Sequence, residues 1–319
     1  MAKTKIAWTH FSFNHVLGCT KVAPGCAHCY AEAFNKRTGK AKWGDQGTRI
    51  KTSEKYWREP LKWNREAEGA EERPRVFCAS LADVFEDWRG PVLDHKGNVL
   101  RTVYPGPEFQ GTDKDNATLG FATTLDHVRA ELFRLIDATP NLDWLLLTKR
   151  PENIARMWPR VIDASGTNGE LDNICEHREN VWLGASVSEQ ETFDRNAHTL
   201  YHECRELCPV LFLSAEPLLG PIKIHHEFDG SKVRNWNGCF DQVIIGCESS
   251  GPRVGILGAF KSEQDWRDGA EDIVRQCREA NVACFVKQIP INGKVSHEPA
   301  EWIPELRVRQ FPPAHMCAS

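Results

Sequence analysis

The sequence predicts an α/β fold: a complete or partial (β/α) barrel of about seven parallel strands. Three observations predict it. Short apolar runs recur along the chain, amphipathic stretches separate several of them, and nearly every run ends in polar residues. Polar ends are expected when all strands point at one site on the C-terminal face of a barrel. An open doubly wound sheet would gather them at a single switch point.

The first strand is expected near Ser12–Val16. The later runs are RVFCAS (75–80), DWLLLTK (143–149), VWLGASV (181–187), VLFLSAE (210–216), QVIIGCE (242–248) and VACFVKQ (282–288). Their apolar residues are contiguous, which suits strands buried on both faces. Residues 124–139 place Leu125, Val128, Leu132, Leu135 and Ile136 on one helical face. Residues 188–204 and 262–280 also read as helices, the latter opened by Ser262 with Asp265 at the capping-box position. Two Gly-, Pro- and Asn-containing stretches interrupt the series: 88–122, a loop or hairpin insertion, and 163–173. Residues 1–319 otherwise read as one domain.

Composition is ordinary for a globular protein, at 41% hydrophobic and 26% charged residues with a net charge of −4. The N-terminus lacks a secretory h-region and no apolar run approaches a membrane span, so the expectation is a cytoplasmic protein without membrane contact. In a reducing compartment most of the twelve cysteines should be free, buried thiols.

The stretch GCTKVAPGCAHCY (18–30) does not suit that explanation. Cys19, Cys26 and Cys29 are spaced C-x6-C-x2-C among Gly, Pro, Lys and His. Pro24-Gly25 reads as a type II turn bringing Cys26 back towards Cys19. Two chemistries fit three thiols. Structural zinc takes four protein ligands, the fourth being His28 or a distant side chain. A [4Fe-4S] cluster on three thiolates leaves one iron open to a small molecule.

The stretches GCTKVAPGCAHCYAE (18–32), SLADVFED (80–87), LLLTKRPENI (145–154), VWLGASVSEQ (181–190), LFLSAEPLLGPI (211–222), VIIGCESSGPR (243–253), FVKQ (285–288) and RQFP (309–312) together resemble a phage-associated three-cysteine-motif family of poorly defined function. That family resembles radical-SAM enzymes and, distantly, spore photoproduct lyase. The usual radical-SAM motif is C-x3-C-x2-C with an aromatic residue before the last cysteine; here the first spacing is wider and His28 takes that place. The resemblance implies a barrel of the radical-SAM type. It also implies a [4Fe-4S] cluster on Cys19, Cys26 and Cys29, S-adenosylmethionine on the open iron, and a reducing partner of flavodoxin or ferredoxin type.

It further implies cofactor contacts from His28, from Ser80 after the second strand and from Ser186 and Ser188 after the fourth. Among the other strand-end residues, Glu216 and Glu248 are candidates for the cofactor. Lys149, Arg150, Arg253 and Lys287 are candidates for substrate, arginine being suited to bidentate phosphate contacts. An ion pair between Glu216 and Arg253 is the structural alternative. Residues 34–65 form a basic aromatic segment with ten Lys and Arg against three acids. With Trp43 and Trp57 interleaved, that is the composition of a nucleic-acid groove. The leading expectation is a radical-SAM-like enzyme repairing or modifying nucleic acid. The alternatives are a zinc-stabilised nucleic-acid-binding protein and a radical enzyme acting on a peptide or small molecule.

Overall fold

The computed structural model describes residues 4–102, 121–159, 177–228, 231–235, 239–249 and 258–313. Arg253 and the 163–173 stretch lie outside them. The main sheet has eight strands in sequential order: β1 (Phe11–Ser12), β2 (Arg75–Cys78), β3 (Asp143–Thr148), β4 (Val181–Ser186), β5 (Val210–Ala215), β6 (Gln242–Gly246), β7 (Ala283–Ile291) and β8 (Lys294–Ser296). β1 to β7 pair in parallel and β8 folds back antiparallel on β7. The sheet curls into a half-barrel whose first and last strands do not pair among the described residues. The expectation of a partial (β/α) barrel therefore holds.

β1 is shorter than expected. It ends at Ser12, and Val16–Leu17 instead pairs antiparallel with Arg49–Lys51, which in turn pairs with Val92–Leu93. In the 88–122 insertion, Arg101–Thr102 pairs antiparallel with Phe121–Ala122.

Strand alternation divides the core in two. One parity (Val76, Cys78, Trp144, Leu146, Leu183, Leu211, Leu213, Val243, Ile245, Val286) packs under the helices. These are α2 (Leu125–Asp137), α3 (Gln190–Cys204) and α4 (Glu263–Glu279), whereas α1 (Tyr30–Thr38), after the cysteine loop, contributes no residue to this cluster. The five apolar positions expected on α2 are all buried. At α4, the Asp265 backbone N–H donates to Ser262 Oγ at 3.1 Å while Asp265 Oδ2 accepts from the Ser262 N–H at 3.1 Å, the reciprocal cap read from the sequence.

The other parity fills the hollow of the half-barrel with Phe77, Leu145, Trp182, Phe212, Ile244 and Phe285, and Trp8 from the N-terminal arm packs among them. Gly184 is required here, because a Cβ at that position would overlap the Phe212 ring. Residues of the RQFP stretch seal the lower end. Phe311 packs tilted against Phe285, ring centroids 5.3 Å apart, and the Arg75 guanidinium lies 3.7 Å from the Phe311 ring centroid. Two to four residues beyond the apolar layer the same inward parity continues with Lys149, Ser186, Ser214, Glu216, Glu248 and Lys287. Periodicity alone thus places a polar mouth over an apolar plug. Among the described residues no helix is long and apolar enough to cross a membrane.

Candidate active site

A cavity of about 420 Å³ occupies that mouth. Cys19, Cys26 and Cys29 all line it, as do His28, Ser80, Lys149, Arg150, Ser186, Glu216, Glu248, Lys287 and Trp43. All three cysteines are free; Cys26 is buried and the other two half-buried. Ser188 and Trp57 do not line it, and Arg253 is outside the described residues.

The cysteine loop is built differently from the expected type II turn. Pro24–Cys26 forms one 3-10 turn, closed by the Ala27 N–H donating to Pro24 O at 3.0 Å. Gly25 serves close approach instead of a left-handed φ: a Cβ there would stand 2.5 Å from Ser188 Oγ. Ser188 is therefore a backstop for the loop, buried against it.

The first half of the loop is held by buried charge. The Thr20 N–H donates to Glu86 Oε1 at 2.8 Å, Thr20 O accepts from Arg150 Nη2 at 2.7 Å, and Thr20 Oγ1 accepts from Arg49 Nη2 at 2.8 Å. Arg49 also donates to Glu86 through Nε at 2.5 Å and Nη2 at 2.6 Å. Arg150 Nη1 donates to Asp83 Oδ2 at 2.9 Å and approaches Cys19 Sγ at 3.7 Å. Asp83 accepts three further bonds, from Thr148 Oγ1, the Phe85 N–H and the Lys149 N–H; it shapes a turn and caps no helix. Two arginines balance two carboxylates, so the burial is compensated.

This corrects the expectation for Arg150. Its guanidinium is committed to Asp83, Glu86 and the Thr20 carbonyl, so it braces the loop and is not free to clasp a phosphate. Neither Glu86 nor Arg49 was singled out in the sequence, where they are 37 residues apart and nothing local pairs them.

The opposite wall carries further pairs. Lys287 Nζ bonds Glu216 Oε1, and Ser249 Oγ donates to the same oxygen at 3.2 Å. Glu216 thus has a cation from β7. His28 Nδ1 lies 3.2 Å from Glu248 Oε1, so His28 faces a carboxylate and not its neighbouring thiols. Lys149 Nζ donates to Ser186 Oγ at 3.1 Å, and Tyr30 OH donates to Ser80 O at 2.8 Å. Ser80 Oγ lies 3.2 Å from Asn14 Nδ2.

The basic aromatic segment is also corrected in part. Trp57 is 5% exposed, edge-on to Phe13 at 5.4 Å, and Trp63 stacks on Phe11 at 4.4 Å. Both rings belong to the core and offer no face to a base. The spacing of Trp57, Pro60, Trp63 and Ala67, all buried, is the helical signal that points inward. Arg49 and Lys51 are buried in ion pairs, whereas Lys36, Arg37, Lys40, Lys42, Lys55, Arg58, Lys62 and Arg65 remain exposed. Trp43 is half-buried at the cavity.

Three thiols on one cavity wall suit an iron–sulfur cluster by donor type. Burial, reinforced by Glu86 and Asp83 and opposed by the Arg150 guanidinium, pushes the Cys19 thiol up to about 12. Among the described residues no three His, Cys, Asp or Glu side chains are gathered closely enough to hold one metal ion. A second cavity of about 660 Å³ lies behind the loop, lined by Asp45, Trp88 and Glu152 and by no cysteine.

No curated protein matches the chain. A cysteine-to-serine mutant of spore photoproduct lyase is similar in structure over 90% of this chain and 79% of that chain, at 9% identity and a TM-score of 0.40. A likeness at that level bears on neither activity nor cofactor. Residues 3–95 and 121–301 match the model of a family described as protein of unknown function (DUF5131). With well over half of its length matched, the chain belongs to that family.

Proposed function

We propose that the protein is a radical-SAM-like enzyme acting on nucleic acid. The observation that carries the reading is the convergence of three free thiols and the inward-facing strand-end residues on one cavity at the mouth of a parallel half-barrel. Cys19, Cys26 and Cys29 would hold a [4Fe-4S] cluster, and S-adenosylmethionine would take the iron that no cysteine claims. When bound, these groups supply one-electron cleavage of a carbon–sulfur bond and hydrogen-atom abstraction.

The chain's own residues bind and orient. Lys149 keeps a half-buried ammonium whose Nζ bonds the neutral hydroxyl of Ser186, so it is the cation best placed to meet a carboxylate or phosphate. Glu216 and Lys287 neutralise each other and keep the β5 and β7 ends in register. Ser186 and Ser80 offer hydroxyls that donate or accept at short range. The apolar plug below excludes water, and the eight exposed cations of residues 36–65 favour a polyanion. A reducing protein of flavodoxin or ferredoxin type would supply the electron.

Anaerobic purification followed by incubation with dithionite and S-adenosylmethionine tests the reading. A brown protein with about four irons that releases 5′-deoxyadenosine is expected. A colourless protein carrying one zinc and yielding no 5′-deoxyadenosine overturns it.

A further inference from the structure

The floor of the cavity holds three polar groups that the interactions above leave unused. Trp8, Ser214 and Gln288 all line the cavity and are 2%, 1% and 0% exposed. Trp8 Nε1, Ser214 Oγ and Gln288 Oε1 are each buried without a hydrogen-bond partner. Leaving such a group unpaired costs about 1–3 kcal/mol each, and three around one cavity are a concentration that folding alone does not explain.

Their chemistry is selective. The Trp8 indole N–H only donates. The Gln288 amide is locked, its Nε2 donating to Cys247 O at 2.7 Å and Ser249 Oγ at 2.9 Å, so its free oxygen only accepts. Ser214 does either. Strand parity puts Ser214 two residues beyond Phe212, directly above the apolar plug, and Phe77 and Leu147 add apolar walls. An anion would meet the Gln288 oxygen unfavourably, and a hydrocarbon would leave all three atoms unpaired. A flat, neutral ring with an acceptor and a donor along its edge satisfies them.

We infer that Trp8, Ser214 and Gln288 form a nucleobase subsite at the floor of the cavity. The inference rests on the reading of this cavity as a cofactor and substrate site, and deepens it. The base comes either from an adenosyl cofactor or from a nucleic acid whose nucleotide is turned out of its stack.

The test measures calorimetric binding of adenosine, thymidine and, as a base-free control, ribose 5-phosphate to the anaerobically purified full-length protein. Ser214→Ala, which deletes only the polar atom at issue, and Trp8→Phe, which removes the indole N–H together with part of the ring, are compared with wild type. At least one nucleoside should bind and weaken about five- to tenfold in each variant, with ribose 5-phosphate unaffected. Because Ser214 Oγ lacks a partner, ligand-free Ser214→Ala should melt no lower than wild type, or about 2 °C higher, whereas Trp8→Phe also removes buried ring volume and should melt lower. Ser214→Ala alone decides the matter if Trp8→Phe does not fold. Adenosine binding assigns the subsite to the cofactor, thymidine binding to the substrate. Absence of nucleoside binding, or binding that neither variant alters, overturns the inference. Iron content and colour, recorded on the same samples, report separately on the cluster.

Discussion

Arg150 Nη1 and Asp83 Oδ2 lie 2.9 Å apart, both side chains buried, and this pair ties the end of β3 to the turn after β2 beneath the cysteine loop. The same guanidinium bonds the Thr20 carbonyl, so the position of Cys19 depends on a strand that arrives 130 residues later.

Removing one partner of such a pair strands the other charge. Arg150→Met should lower unfolding free energy by about 3–5 kcal/mol, whereas Arg150→Met with Asp83→Asn, which removes the stranded charge and keeps an acceptor for Thr148 and the Phe85 N–H, should recover part of that loss. Urea titrations of the two variants decide it: equal destabilisation of single and double variants would mean the pair is not the source.

Gly25 and Ser188 form a second dependency. A methyl at Gly25 meets Ser188 Oγ and must push the loop outward, so Gly25→Ala should lose about 1–3 kcal/mol of stability through overpacking and bind iron several-fold less well. Adding Ser188→Ala should restore both, as measured by melting curves and by iron content after anaerobic reconstitution. A double variant no better than the single one refutes the contact.

Asp143, at the start of β3 and far from the cysteines, provides a pH signature. Burial raises its carboxyl to about 6, opposed by the Arg73 guanidinium, against an ordinary value of 3.8. The folded state therefore holds this proton more tightly than the unfolded chain. The resulting stabilisation is complete below about pH 4 and is lost as pH rises through 6. Asp143→Asn should be more stable than wild type above pH 6, by on the order of 2 kcal/mol, and converge with it below pH 4. Unfolding free energies from pH 4 to 8 test this, and a difference independent of pH refutes it.

The exposed cations and the buried rings of residues 34–65 should separate cleanly. Lys→Gln at 36, 40, 42, 55 and 62 should weaken single-stranded nucleic-acid binding at low salt and flatten its dependence on salt concentration. Trp57→Ala should cost about 3–5 kcal/mol in stability, as expected of a core tryptophan, with no change in the salt slope. A salt slope unchanged by losing five cations ends the nucleic-acid assignment of this surface.

Six strands of the half-barrel, β2 to β7, were legible in order because each reads as a nearly uninterrupted apolar run, whereas β1 is a two-residue strand, Phe11–Ser12, that overlaps its expected span only at Ser12. β8 (Lys294–Ser296) was not legible, being a short polar return that pairs only with its neighbour. The cysteine loop and the strand-end residues were legible because local spacing and strand parity bring them to one end. The charge clamp was not: Arg49, Glu86 and Arg150 sit in unrelated stretches, and only the folded chain joins them around Thr20. Composition alone points Trp57 to a groove, whereas its helical spacing with Pro60, Trp63 and Ala67 points it into the core. The floor was half legible, since strand parity exposes Ser214, but nothing in sequence distinguishes a satisfied hydroxyl from an unsatisfied one.

Trp8 and Phe311 belong to the same apolar plug although they stand at opposite ends of the described chain. Closing so long a loop carries more entropy than any strand pairing within the sheet, and contacts of such high order form late. The seven parallel strands can therefore assemble before their hollow is stoppered from both ends. The N-terminal arm also lines the cavity through Thr4, Lys5, Ile6 and Trp8, so a chain with every strand in place but that arm undocked lacks one wall of its receptacle.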